Sequence, residues 1–171
     1  MTDEVVRLKG NLRETDQEKL TVIHGDLVMA KDMIFENSIF VEGSILREDG
    51  EKHNLIVKGH ITVIGGIEVD GNIHADGNIL VRDIAKDGNV NVYGNVRAWS
   101  IDVRGYIWAW SVHADGDIHA DGDIHANGDI IVLDIIADGD VHAGGNIFVF
   151  KVRAREICTK KNIHFFFQSR M

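Results

Sequence analysis

Residues 114–130 read ADGDIHADGDIHANGDI, a six-residue unit of the form Gly-x-Ile-x-Ala-x written in immediate succession. Working outward, glycines fall at Gly59, Gly65, Gly71, Gly77, Gly88, Gly94, Gly105, Gly116, Gly122, Gly128, Gly139 and Gly145, with every gap 6 or 11. A gap of 11 is one six-residue unit plus a five-residue unit that has lost its glycine, as in Ala98-Trp99-Ser100-Ile101-Asp102 and Ala109-Trp110-Ser111-Val112-His113. The central aliphatic of each unit is an anchor, and anchors three units apart form columns. Ile73, Val90, Ile107, Ile124 and Val141 keep a spacing of 17, as do Ile84, Ile101, Ile118, Ile135 and Val152. Ile79, Val96, Val112, Ile130 and Ile147 keep it to within one residue. Stacking equivalent residues at the ~4.8 Å of hydrogen-bonded strands needs such a constant repeat. The expected fold is therefore all-β, a single-stranded triangular β-helix of about 17 residues per turn with seven or eight coils.

A period of two within each unit sends Gly, Ile and Ala inward and the residues between them outward. Lys86 breaks the rule at an inward position, which predicts local distortion of that turn. Leu27, Ile39, Ile45 and Leu55 continue the anchors toward the N-terminus, and the polar stretch Arg47 to Asn54 predicts an extruded loop. Thr15-Asp16-Gln17-Glu18 resembles a capping box opening a short helix over the first coil; a frayed terminus is the alternative. The expected divisions are a cap segment at 1–21, the β-helix at 22–165 and a tail at 166–171.

Composition agrees with a chain made of strands and corners. It has 18 glycines and no proline, which would delete a ladder hydrogen bond in a central strand. The net charge of −9, with no basic run, argues against nucleic acid or an anionic membrane as the main partner. One cysteine, Cys158, excludes an internal disulfide framework and is expected to face outward as a free thiol. No stretch approaches a membrane span or a signal peptide, so a soluble cytoplasmic protein is expected.

The order Gly-x-Ile-x-Ala sets this repeat apart from hexapeptide acyltransferases and pentapeptide-repeat proteins, which place the small residue two before the anchor. It resembles the bactofilins, bacterial polymer-forming cytoskeletal proteins, over roughly residues 57–158. Val90-Asn91-Val92-Tyr93-Gly94-Asn95-Val96-Arg97 is also similar to the β-helical C-terminal domain of the division inhibitor MinC. The first resemblance implies a right-handed coil and a self-associating scaffold. The second implies a binding or regulatory module for a protein partner.

Two outward surfaces stand out. Ile131, Leu133, Phe148 and Phe150 follow the anchors Ile130 and Ile147 by one and three positions, where other coils carry His and Asp, and they are expected to form the self-association surface. Either a second chain or the segment Phe165-Phe166-Phe167 is expected to cover them. Tyr93, Trp108 and Trp110 fall on adjacent turns and are expected to present an aromatic face to a protein partner.

Chemistry is poorly represented. His113, His119 and His125 point from three different sides, and His125 with His142 gives a stacked pair lacking a third ligand, so no metal is expected. Asp121-Gly122-Asp123 and Asp138-Gly139-Asp140 should stack at one corner, as solvated acids or with a bridging cation, at a repulsion of order 3 kcal/mol per close pair. No phosphate loop, dinucleotide motif or paired nucleophile and base occurs, so neither a cofactor nor catalysis is expected.

Overall fold

Glycine-marked corners every five or six residues leave room for strands of only three or four residues, and each strand finds its partners one coil away rather than beside it in sequence. In the computed structural model, which describes residues 8–9, 12–15, 20–48 and 52–166, these strands stack in parallel into an all-β solenoid. The first face is an eight-stranded sheet whose strands begin at Met33, Leu55, Ile73, Val90, Ile107, Ile124, Val141 and Ile157, one per coil. The second face stacks Ile39, Ile61, Ile79, Val96, Val112, Ile130, Ile147 and Ile163. The third stacks Leu27, Ile45, Ile67, Ile84, Ile101, Ile118, Ile135 and Val152. The three expected columns are thus the three walls of the coil.

The core is one continuous filling of these anchors and the small residues two positions after them. Ile73 with Ala75, Ile107 with Ala109, and Ile124 with Ala126 are all completely buried. Burial alternates strictly along the strands, as a period of two requires. The glycines, however, do not fill the interior. They stand at the corners, where successive coils approach so closely that a side chain has no room: a Cβ on Gly94 would lie 2.6 Å from the carbonyl oxygen of Gly77. Among the described residues only Gly25 has a left-handed backbone, so close approach is what selects glycine along most of the coil.

The residue after many of the corner glycines carries a second ladder. Asn78 Oδ1 accepts the Asn95 amide N–H at 2.8 Å, Asn72 Oδ1 accepts that of Asn89 at 3.1 Å, and Asp123 Oδ1 accepts that of Asp140 at 2.8 Å. The backbone turns at a corner and cannot continue the strand ladder there, so a short side chain from the coil below supplies the acceptor.

Four local expectations need correction. Thr15 lies in a strand, Leu12–Thr15, which pairs antiparallel with Leu20–Ile23, while residues 16–18 of the supposed capping box lie outside the described residues. Leu8–Lys9 pairs antiparallel with residues of Asp26–Met29, so strands, with no helix among the described residues, lie against the first coil. The first parallel strand begins at Leu20, two residues before the expected boundary. At Lys86 the ladder runs unbroken, opposite Val69 and Val103; the register shift lies instead between Val81 and Asp83, where a five-residue unit meets the longer corner at Ile64-Gly65.

The polar stretch does interrupt the repeat. Spacing rises to 22 residues for Met33 to Leu55, Ile39 to Ile61 and Ile45 to Ile67, each interval enclosing residues 48–54. Arg47 remains in its strand and forms a two-pronged ion pair with Asp70, at 2.6 and 2.7 Å.

Candidate functional site

The corner between the second and third faces carries several of the large apolar residues that the coil leaves outside, Trp99, Leu133 and Phe150 among them. A six-residue unit puts a polar residue and a glycine at this corner; a five-residue unit has room for one residue only, and here that residue is Arg82, Trp99, Leu133 or Phe150. Backbone hydrogen bonds stack them in order. Trp99 N–H donates to Arg82 O, Gly116 N–H to Trp99 O, Leu133 N–H to Gly116 O and Phe150 N–H to Leu133 O, at 2.6–3.0 Å. Trp99, Leu133 and Phe150 are 62%, 50% and 45% exposed. The Trp99 indole lies over Gly116, with Nε1 3.5 Å from where a Cβ would stand, on the side from which Leu133 stacks.

Ile131 and Phe148 lie alongside, opposite one another on adjacent coils and half-buried. The four expected residues therefore do come together, and Trp99, which sequence reasoning missed, extends them. Its signal was the loss of glycine from its unit, which turns a corner into a place for a large side chain.

Phe165 and Phe166 continue the coil beyond this patch rather than turning back across it. Ile163–Phe165 continues the second face as one more strand, placing Phe165 opposite Val149, and Phe166 N–H donates to Val149 O at 2.9 Å. His164 stacks on Phe148 with ring centroids 4.6 Å apart, and Phe166 stacks on it at 6.4 Å. The segment lengthens the ridge, and Phe167 lies outside the described residues. Trp99, Leu133, Phe150 and Phe166 together expose roughly 400 Å² of apolar surface, taking about 200 Å² for a whole aromatic side chain.

The aromatic face lies on the first face of the coil. Tyr93 meets Trp108 edge to face at 5.8 Å and His74 at 5.5 Å. Trp108 stacks on His125 at 6.3 Å, and His125 on His142 at 4.8 Å. Trp110 stands one coil beyond Tyr93 at the same corner between the first and second faces, where its N–H donates to Gly94 O at 2.8 Å and its indole lies over Gly128. Tyr106, which sequence reasoning missed, joins Tyr93 and Trp108: Asn91, Tyr93, Tyr106 and Trp108 line one shallow cavity of about 330 Å³. Beneath the rings the Asn91 Oδ1 is buried and has no hydrogen-bond partner.

The stacked acids at the corner between the third and first faces are less repulsive than simple stacking implies. Arg155 Nε and its terminal nitrogen donate to the two Asp140 oxygens at 2.8 and 2.9 Å, and the same guanidinium approaches Asp123 at 3.8 Å. The Arg155 hydrogen bond holds the Asp140 carboxyl below the usual carboxylate range. The same acids accept backbone amides along the corner ladder, so two kinds of donor offset their charge.

Cys158 has the opposite character to an activated nucleophile. Its thiol donates to Glu156 Oε1 at 3.3 Å, and this carboxylate together with partial burial pushes the thiol pKa up. Outward histidines pair with neighbouring acids: His113 with Asp115 at 3.1 Å, and His119 with Asp102 and Asp121 at 3.7 and 3.8 Å. Among the described residues no group of three or more His, Cys, Asp and Glu is placed to hold a metal ion, and no helix is long and apolar enough to cross a membrane. Comparison with protein-family models, with curated proteins and with solved structures finds no match to this chain.

Proposed function

We propose that this chain is a non-enzymatic structural scaffold that associates with copies of itself through the ridge of Trp99, Leu133 and Phe150, in the manner of the bactofilins that its repeat resembles. The supporting observation is that large apolar side chains stand exposed at one corner on three of four consecutive coils, Trp99, Leu133 and Phe150, while the remaining coil carries Asp-Gly there. A strip of about 400 Å² is within the range of the largest apolar patch on a monomer, about 300 to 600 Å², and such patches are often functional. A straight edge with a constant rise also suits a second copy lying alongside, since a two-fold axis across the edge would set each ridge against its own equivalent. Ile131 and Phe148 are already half-buried and Leu133 and Phe150 about half exposed, so burying what remains of the four would contribute roughly 3 to 6 kcal/mol before the costs of association are subtracted.

Leu133→Asp combined with Phe150→Asp tests the reading, because both side chains are outward and their loss leaves the core intact. The expected result is a folded monomer with an unchanged circular dichroism spectrum. An unchanged oligomer would remove this edge as the interface.

A second reading, a binding module for another protein, is favoured by the aromatic cavity. Three aromatics converge over an unpaired amide oxygen, and Tyr93 and Tyr106 occupy positions where the repeat usually places Asp or Asn. Under this reading Tyr93→Ala with Trp108→Ala abolishes capture of a partner and leaves the oligomer intact. If that double variant retains every partner of the unmodified chain, the reading fails.

A further inference from the structure

Charge is distributed unevenly along the rod. Six of the 18 Lys and Arg residues but only one of the 27 Asp and Glu residues fall in 150–171, giving that segment a net +5 within a chain of net −9. Lys151, Arg153, Lys160 and Lys161 stand exposed around the last described coil, and none of them forms an ion pair with a described acid. Arg155, in the same coil, is committed to Asp140. Phe165 and Phe166 are 48% and 44% exposed on this coil, beside Val152, Ala154, Ile157 and Ile163, which are only partly buried. A belt of free cations thus surrounds an apolar, phenylalanine-bearing end.

We propose that this end of the rod docks against an anionic lipid surface. Peripheral attachment requires two contributions, insertion of apolar side chains and attraction of several cations to acidic headgroups, and the last coil provides both. The geometry also removes the objection raised by the overall negative charge. A flat surface meets the rod end-on, and each coil recedes a further ~4.8 Å from it. The last coil itself carries one acid, Glu156, against Lys151, Arg153, Arg155, Lys160 and Lys161. Of Asp134, Asp138 and Asp140 one coil away, Asp140 is paired with Arg155, and Asp121 and Asp123 lie two coils away, about one screening length at 0.1 M salt. A nucleic acid lying along the rod would instead run over those acids. The same end of a second copy would meet like charge. The proposal goes beyond self-association: Phe166 is shared with the ridge, whereas Lys160 and Lys161 lie outside it.

Co-sedimentation of the full chain with phosphatidylcholine vesicles, with and without phosphatidylserine, tests it. Binding is expected only with phosphatidylserine, and it should weaken as salt is raised to about 0.5 M. Lys160→Gln with Lys161→Gln should lower the partition coefficient on the order of 30-fold while leaving the melting temperature and oligomeric state unchanged. Phe166→Ser should also weaken binding, and its effect should persist at high salt. The proposal is overturned by absent binding, by equal binding to phosphatidylcholine alone, or by indifference to the two glutamines. Salt-sensitive assembly without vesicles that the glutamines abolish would assign the belt to another copy. Capture of nucleic acid in place of vesicles would likewise overturn it.

Discussion

Truncating Ile118 or Ile124 to alanine is expected to remove about 2 to 5 kcal/mol of folding stability, the range for large-to-small changes at fully buried sites. Ile118 stacks between Ile101 and Ile135, and Ile124 between Ile107 and Val141, so each loses contacts to the coil below and the coil above. All six side chains are 0–1% exposed. A solenoid has little capacity to collapse around the resulting void, because the backbone ladder fixes the distance between walls. His119, the next residue in the same strand, is half exposed and only loosely paired with acids, so His119→Ala should cost under about 0.5 kcal/mol. Urea unfolding of the three variants gives the comparison. Equal losses at Ile118 and His119 would mean that the inward and outward assignment is wrong.

Gly94→Val is expected to cost about 1 to 3 kcal/mol or more, through overpacking rather than through backbone strain. A Cβ there would meet the Gly77 oxygen at 2.6 Å and its carbonyl carbon at 2.8 Å, and both atoms are backbone. Relief requires the two corners to separate, which stretches the hydrogen bond from Gly94 N–H to Gly77 O, already 3.2 Å long. Gly66 is the internal control. It lies within the long strand Ile61–Val69, and the nearest atom to its Cβ position is the Asp83 oxygen at 3.4 Å. Gly66→Ala should therefore be nearly neutral. A large loss there with none at Gly94 would contradict the view that close approach, rather than conformational freedom, selects the corner glycines.

The walls of the coil were legible because the interval between anchors and the register of the ladder are the same quantity. Once Ile84, Ile101, Ile118, Ile135 and Val152 recur at 17, a parallel ladder has only one way to align them. The side-chain ladder of Asn72, Asn78 and Asp123 escaped notice for a related reason. Asn and Asp beside glycine also describe an ordinary turn, and nothing in one sequence says that the carbonyl oxygen reaches the next coil.

The glycines were assigned inward because a period of two counts alternation but cannot see a corner, where alternation stops. The pairing of Arg155 with Asp140 joins residues from adjacent coils whose relation depends on the short final unit. At the N-terminus the polar pattern of residues 15–18 fitted a helix locally, while the antiparallel partner of Leu12–Thr15 lies across a reversal of the chain and leaves no periodic trace.

Of the candidate surfaces, the ridge was visible as an offset from anchors, one and three residues after Ile130 and Ile147. Its continuation through Trp99 was hidden by Gly116, which interrupts the apolar sequence but not the apolar surface. Trp110 was placed with Tyr93 and Trp108 by the same offset. Tyr93 and Trp110 occupy the same corner on adjacent coils, and a side chain three positions after an anchor can turn toward either face.

Sedimentation velocity of the unmodified chain across a wide concentration range, with electron microscopy of the same samples, tests self-association most directly. The account predicts species larger than the 19.0 kDa chain, elongated along the rod, which Leu133→Asp with Phe150→Asp converts to monomer. A single 19.0 kDa monomer at every concentration would contradict it.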